Sequence, residues 1–302
     1  MRLLDVSTLQ FREFLGSNIP PYAILSHTWG TEEVDFQEIQ EQRNETKSKS
    51  GYLKVKKCCE KAAAHGYKYA WVDSCCIDKR SSAELSEAIN SMFNWYRRSQ
   101  ECFVYLADVL MTSGFPTTEF KKSRWFTRGW TLQELLAPDT IFFYDRNWVR
   151  IGSVTQESDP ESSFLQTLGI IISFHPQYLI NKSDIPLLPI AERMRWAAHR
   201  ETTREEDIAY CLLGIFKVNM PIIYGEGKTK AFKRLQYEII STSYDHSIFA
   251  WRAPIISSSL FASSPVAFAD LVGMYRLFPV FKNNQMTPYT MTNLGLSIKL
   301  RL

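Results

Sequence analysis

No apolar run in this chain approaches the ~20 residues that a helix needs to cross a bilayer, so no membrane span is expected. The N-terminus, MRLLDVSTLQ, carries an acid at Asp5 and no small-residue cleavage site, which sets a secretory signal aside. Neither sign of charge dominates. The 35 basic and 32 acidic residues leave a net +3, and the basic ones are scattered, so no nucleic-acid footprint is expected. No C-x-x-C occurs among Cys58, Cys59, Cys75, Cys76, Cys102 and Cys211, so chelate spacing for zinc is missing and no metal site is expected. Adjacent cysteines in apolar segments read instead as reduced, buried thiols of a cytoplasmic protein. A complete phosphate loop is missing as well. Gly225-Glu226-Gly227-Lys228-Thr229 looks like the end of one, but the glycine required five residues before Gly227 is Ile222. A tight turn before a helix is expected there. No internal repeat or low-complexity tract stands out.

What is present suits a globular chain. Its 302 residues fit about two domains, and 45% apolar residues can bury a full core. Tyr22–Leu25 reads as a strand ending in the polar loop Ser26–Gly30. The second half of 31–49 reads as an exposed loop. Val55, Cys59, Ala62 and Ala63 lie on one helical stripe that Gly66 closes. Tyr67–Val72 is a second strand, followed by the loop Asp73–Asp78. Ser81 or Ser82 caps a helix with Leu85, Ala88, Ile89, Met92, Phe93 and Tyr96 on one face. Cys102–Leu106 and Thr140–Trp148 are two more strands. This alternation predicts an α/β fold: a parallel sheet of four or five strands over residues 20–150, with helices on both faces. Ligands in such sheets sit beyond the carboxyl ends of the strands, which selects the loops after Leu25 and Val72.

The texture shifts after Ile151, so domains are expected at 1–152 and 153–302. The second is a mainly helical extension with helices over 190–199, 207–216 and about 229–241. Thr203-Arg204-Glu205-Glu206 reads as a capping box for the middle one. A β-rich tail follows. It ends in LGLSIKLRL with no evident strand partner, which reads as a cut from a longer protein.

The segment Ser123–Pro138, SRWFTRGWTLQELLAP, is the richest in chemistry. Read as a helix from about Phe126, it puts Trp130 and Glu134 four residues apart on one face, with Arg128 near its start. An indole, a carboxylate and a guanidinium together suit a charged nucleotide. Leu132, Leu135 and Leu136 show that the segment also packs on a core, and a purely structural role stays open. A second reading makes Cys75 or Cys76 a nucleophile with His27 as its base. Asp73 and Asp78 flank that loop.

YAILSHTWG, YAWVDSCCIDK, CFVYLADV and SRWFTRGWTLQELLAP resemble the successive blocks of the fungal heterokaryon-incompatibility (HET) domain. RETTREEDIAYCLLGIFKVNMPIIYGEG and DHSIFAW resemble the segment that follows it in many large proteins of that family. HET domains are in turn distantly similar to TIR domains, which are flavodoxin-like and in many cases hydrolyse NAD. The resemblance implies that Trp130 and Glu134 match the TIR tryptophan and catalytic glutamate, and that Ser26–Trp29 match the TIR box. It implies an NAD glycohydrolase, a cell-death effector of incompatibility, with Glu134 catalytic. Ser26, His27, Trp29, Asp73, Cys76, Arg128 and Trp130 would contact substrate, with His27 and Trp29 at the nicotinamide end. NAD is then substrate, no cofactor is needed, and partners are further copies of the chain and other incompatibility or NLR-type proteins. The same resemblance permits a non-catalytic self-associating signalling module. The longer first crossover and the Cys-Cys loop depart from TIR. The chemistry suits one carboxylate. Neutral nicotinamide leaves through an oxocarbenium-like transition state, which a carboxylate near the ribose stabilises. Glu134 is expected to face an open cleft, so that Glu134→Gln would leave stability nearly unchanged.

Overall fold

Six consecutive buried residues, Tyr22–His27, form the central strand of a seven-stranded sheet. In chain order the strands are β1 (Arg2–Asp5), β2 (Phe11–Glu13), β3 (Tyr22–His27), β4 (Tyr69–Trp71), β5 (Glu101–Tyr105), β6 (Ile141–Tyr144) and β7 (Arg150–Val154). They lie in the order β2-β1-β4-β3-β5-β6-β7 in a computed structural model. It describes residues 1–16, 18–41, 43–111, 117–252, 259–271, 290–292 and 295–297. The chain divides into two compact units, Met1–Lys182 and Ser183–Leu302.

β4, β3, β5 and β6 are parallel: Tyr22 lies opposite Tyr69, Ile24 opposite Cys102, and Phe103 opposite Phe142. Taken in chain order these four read second, first, third, fourth, the start of a doubly wound order whose switch point falls between β3 and β5. These are the four parallel strands expected over 20–150, and the sheet extends beyond them at its margins. β1, β2 and β7 join antiparallel. They are three to five residues long and lie outside 20–150 or at its end, too short to show a period.

The crossover from β3 to β4 holds α1 (Phe36–Glu41), α2 (Asn44–Lys47) and α3 (Ser50–Ala64). The exposed loop expected before residue 50 is thus replaced by helix. Lys49 pairs with Glu38 and Lys54 with Glu33, which ties the basic half of this segment to its acidic half. Gly51 is required by close approach: a Cβ there would lie 2.3 Å from the Glu32 carbonyl. α3 ends as expected at Gly66, whose φ is +85°. The Gly66 N–H meets the Ala63 carbonyl at 2.9 Å, and the Tyr67 N–H meets that of Ala62 at 2.9 Å.

The β4–β5 crossover holds α4 (Asp73–Cys76) and α5 (Ser82–Arg98). The expected loop at 73–78 begins with this single helical turn. Ser81 caps α5 by accepting the Glu84 N–H at 3.2 Å. The β5–β6 crossover holds α6 (Thr117–Lys122), a 3-10 turn (Arg124–Thr127) and α7 (Trp130–Leu136). After β7 come α8 (Ser163–Ile172) and α9 (Gln177–Ile180), both in the first unit. Phe142 and Phe143 are neighbours in β6 and so point to opposite faces. The Phe142 ring meets His65 at the end of α3, and Phe143 meets Phe120, Trp125 and Phe164. Helices therefore cover both faces.

The second unit holds α10 (Ile190–Arg195), α11 (Asp207–Tyr210), α12 (Leu213–Phe216) and α13 (Lys228–Thr242). The helix expected over 207–216 is broken in two. Glu206 stands at the N-cap of α11 in helical backbone, with no side-chain cap of its own. Its carboxylate instead accepts the N–H groups of Gly225 and Gly227 at 2.8 and 3.0 Å. The turn that resembles a phosphate loop is filled by the chain's own acid. In the tail, β8 (Thr290–Thr292) pairs antiparallel with β9 (Gly295–Ser297). The remainder of LGLSIKLRL lies outside the described residues. Among the described residues no helix is long and apolar enough to cross a membrane. All six cysteines are buried, and none is in a disulfide.

Candidate active site

β3 delivers Ser26 and His27 to its carboxyl end, beside the switch point. The segment carrying the carboxylate is aimed from β5. Asp108, just past that strand, accepts the Ser123 hydroxyl and the Arg124 N–H, each at 2.7 Å, and so fixes the start of the 3-10 turn. Arg128 then takes extended backbone (φ −79°, ψ 137°), which separates this turn from α7. The helix expected from Phe126 therefore begins only at Trp130. The Thr131 hydroxyl donates back to the Trp125 carbonyl at 2.5 Å, locking the first turn of α7 onto the 3-10 turn.

The result is a buried relay. The Trp125 indole N–H donates to Ser26 Oγ at 2.8 Å, and the Ser26 hydroxyl donates to Glu134 Oε2. Ser26 and Trp125 are fully buried, and Glu134 is only 4% exposed. That corrects the expectation of a carboxylate facing an open cleft. Tyr96 from α5 closes the group; its hydroxyl donates to the Leu25 carbonyl at 2.9 Å. Burial, reinforced by the charge of Glu134, pushes the Tyr96 phenol well above its ordinary range.

A second cluster lies at the following residues. His27 is buried with Nε2 3.6 Å from Glu33 Oε2 and Nδ1 3.7 Å from Asp73 Oδ1. Burial alone would raise the Glu33 carboxyl, but His27, Lys54 and the Gly30 N–H outweigh it and hold it down at about 2. Trp29 is exposed, and its indole N–H donates to Asp73 Oδ2 at 2.8 Å.

The structure thus joins Glu134 with Ser26, and His27 with Trp29 and Asp73. Trp130 and Arg128 are half-buried at the start of α7. Cys76 stands apart: it is buried in α4, where its sulfur accepts the Val72 N–H at 3.4 Å. Cys75 is fully buried and its thiol is pushed up by that burial. Neither is the setting of a thiolate nucleophile, and the His27 ring is turned to carboxylates. The residue that spacing could not find is Trp125, whose partner Ser26 is 99 positions away.

Comparison with known proteins gives two findings. Residues 22–119 match the family model described as heterokaryon incompatibility protein (HET). That match ends before Trp125 and Glu134. The vegetative incompatibility protein HET-E-1 of Podospora anserina is 46% identical over 236 residues, covering 76% of this chain and 17% of that protein. The chain therefore spans about a sixth of the length of that relative. No solved structure matches the chain.

Proposed function

The chain belongs to the heterokaryon-incompatibility (HET) family, and on that footing we propose that it acts as a cell-death effector of fungal incompatibility by hydrolysing NAD at Glu134. The observation that carries this reading is the position of Glu134: a carboxylate at the switch point of a doubly wound sheet, oriented by the Ser26 hydroxyl. That is where a ligand sits in such sheets. Trp130 stands one turn before it, as in the distantly similar TIR enzymes.

The chemistry is spare. The bond from ribose C1′ to the nicotinamide nitrogen breaks, and its electron pair leaves with neutral nicotinamide. Water adds to C1′, giving ADP-ribose and a proton. Glu134 stabilises the positive charge that develops on the ribose and holds a ribose hydroxyl. In this reading the closed relay is the resting state, and α7 must shift for substrate to enter.

The burial of Glu134 favours a second reading. A carboxylate satisfied by Ser26 and sealed by Tyr96 and Trp125 is also what a structural polar group looks like. The domain would then be a TIR-like self-associating signalling module without catalysis. Nicotinamide release by wild type and Glu134→Gln separates the two. Loss of one electrostatic stabiliser is expected to lower turnover about 100- to 1,000-fold. A folded Glu134→Gln protein that releases nicotinamide at the wild-type rate would remove the catalytic assignment. Cell killing without any release, by wild type in an assembled state, would install the signalling module.

A further inference from the structure

Trp29 lies three residues beyond Ser26 and is 47% exposed. It is held on two sides. Its edge is bonded to Asp73, and Lys79 Nζ stands 3.8 Å from the ring centroid. Lys79 is itself placed by donating to the Ser74 carbonyl at 3.0 Å. α4 and the residues after it therefore fix both an indole and a cation at its face. A surface cation–π pair contributes only about 0.5–1 kcal/mol and needs no ligand to explain it. The group behind it does need an explanation. His27 Nδ1 and Nε2, Glu33 Oε2 and Asp73 Oδ1 are all buried without hydrogen-bond partners. They face one another as ion pairs at 3.6 and 3.7 Å, beyond hydrogen-bond distance. They do not form a metal site, since the two carboxylates face different ring nitrogens and no metal-holding group of three occurs among the described residues.

We propose that Trp29 and Lys79 form a nucleotide subsite, in which the indole stacks the adenine of NAD and the Lys79 ammonium pairs with its phosphates. This rests on the proposed cleavage of NAD at Glu134 and reverses the expectation that Trp29 lines the nicotinamide end. The ring attached to the scissile bond must lie against Glu134, which is buried, whereas Trp29 is at the surface, three residues along the chain from Ser26, the partner of Glu134. Three residues reach at most about 10 Å. A ligand that touches both places needs two rings separated by a linker, and the ring on Trp29 is the distal one. Stacking on an indole suits any planar base, and a lysine serves as a point charge for phosphate.

The test uses the full chain, with ADP as a probe that has adenine and phosphates but no nicotinamide. Binding is measured by calorimetry. Wild type and Glu134→Gln are expected to bind ADP equally. Trp29→Ala should weaken binding about 5- to 150-fold, while Trp29→Phe, which keeps a stacking face, retains most of it. Lys79→Met should weaken ADP but leave adenosine unaffected. Failure of wild type to bind ADP, or equal affinity in Trp29→Ala, overturns the subsite. The two ideas fail separately. ADP binding that depends on Trp29 in a protein that never releases nicotinamide sustains the subsite and sinks the cleavage. Cleavage with an unchanged KM in Trp29→Ala does the reverse.

Discussion

One hydroxyl, that of Ser26, accepts the Trp125 indole N–H and donates to the Glu134 carboxylate. Both partners are buried, so losing it leaves polar groups that water cannot easily reach. Ser26→Ala is therefore expected to destabilise the protein by about 1–3 kcal/mol, visible as a lowered melting temperature. If Ser26→Ala melts like wild type, Trp125 and Glu134 are hydrated and the closed relay is not the resting state. Glu134→Gln keeps the shape and can still accept from Ser26, so its cost should be smaller, though not the near-zero cost of an exposed carboxylate. Residue chemistry was partly readable in advance. Glu134 and Trp130 announce themselves by local spacing, and Ser26, His27 and Asp73 by lying at strand ends. Burial of Glu134 and the role of Trp125 depend on partners about a hundred residues distant, which no local pattern encodes.

Among the elements, α7 is short, and its last carbonyls lack partners within the helix. Lys182 supplies one of them: its ammonium donates to the Leu135 carbonyl at 3.0 Å, and also to the Pro138 carbonyl just beyond the helix. Burial pushes Lys182 down to about 7, although Cys102 and Asp139 pull the other way. The sign follows. The unfolded chain keeps this proton up to its ordinary value of about 10.4, while the folded chain releases it near 7. The unfolded state binds more protons across that window, so stability rises with pH from about 7, and the cost of burying the charge is fully present below it. Measured against Lys182→Met by urea unfolding from pH 6 to 8.5, wild type should gain stability as pH rises. Parallel curves would show that Lys182 does not titrate there. Elements with their own local signals were the readable ones. α5 has its Ser81 cap, α3 its Gly66 stop, and β3 and β5 their continuous apolar runs. β1, β2, β7, α1, α2 and α4 are three to six residues long and form only because the sheet edge and the loop charges give them partners. Helix 207–216 reads as continuous because its apolar positions continue through Cys211 and Leu212, which keep helical backbone although the Leu212 N–H turns to the Ala209 carbonyl and splits the element.

For the whole molecule, the proposed activity at a buried Glu134 is a question of populations. On the proposed cleavage of NAD, a closed form would be inactive, and an activator would have to bind the open form better than the closed one. Inverting a closed-to-open ratio of about 99 to 1 takes roughly a 10,000-fold difference in affinity for the two forms. A second copy of the chain is the simplest agent, because its concentration rises with the protein's own, and the net charge of +3 offers only weak repulsion. Nicotinamide release per molecule should therefore climb with protein concentration, together with the appearance of a larger species in light scattering. Mixing in excess Glu134→Gln distinguishes how copies help. If a copy acts only by opening its neighbour, the inactive variant should raise the turnover of dilute wild type, since it keeps the surfaces and lacks only the carboxylate. If each site needs two intact carboxylates, it should poison turnover instead. A rate per molecule that stays flat across a wide dilution series, with a monomer throughout, would remove assembly as the trigger and leave opening to a partner of another kind.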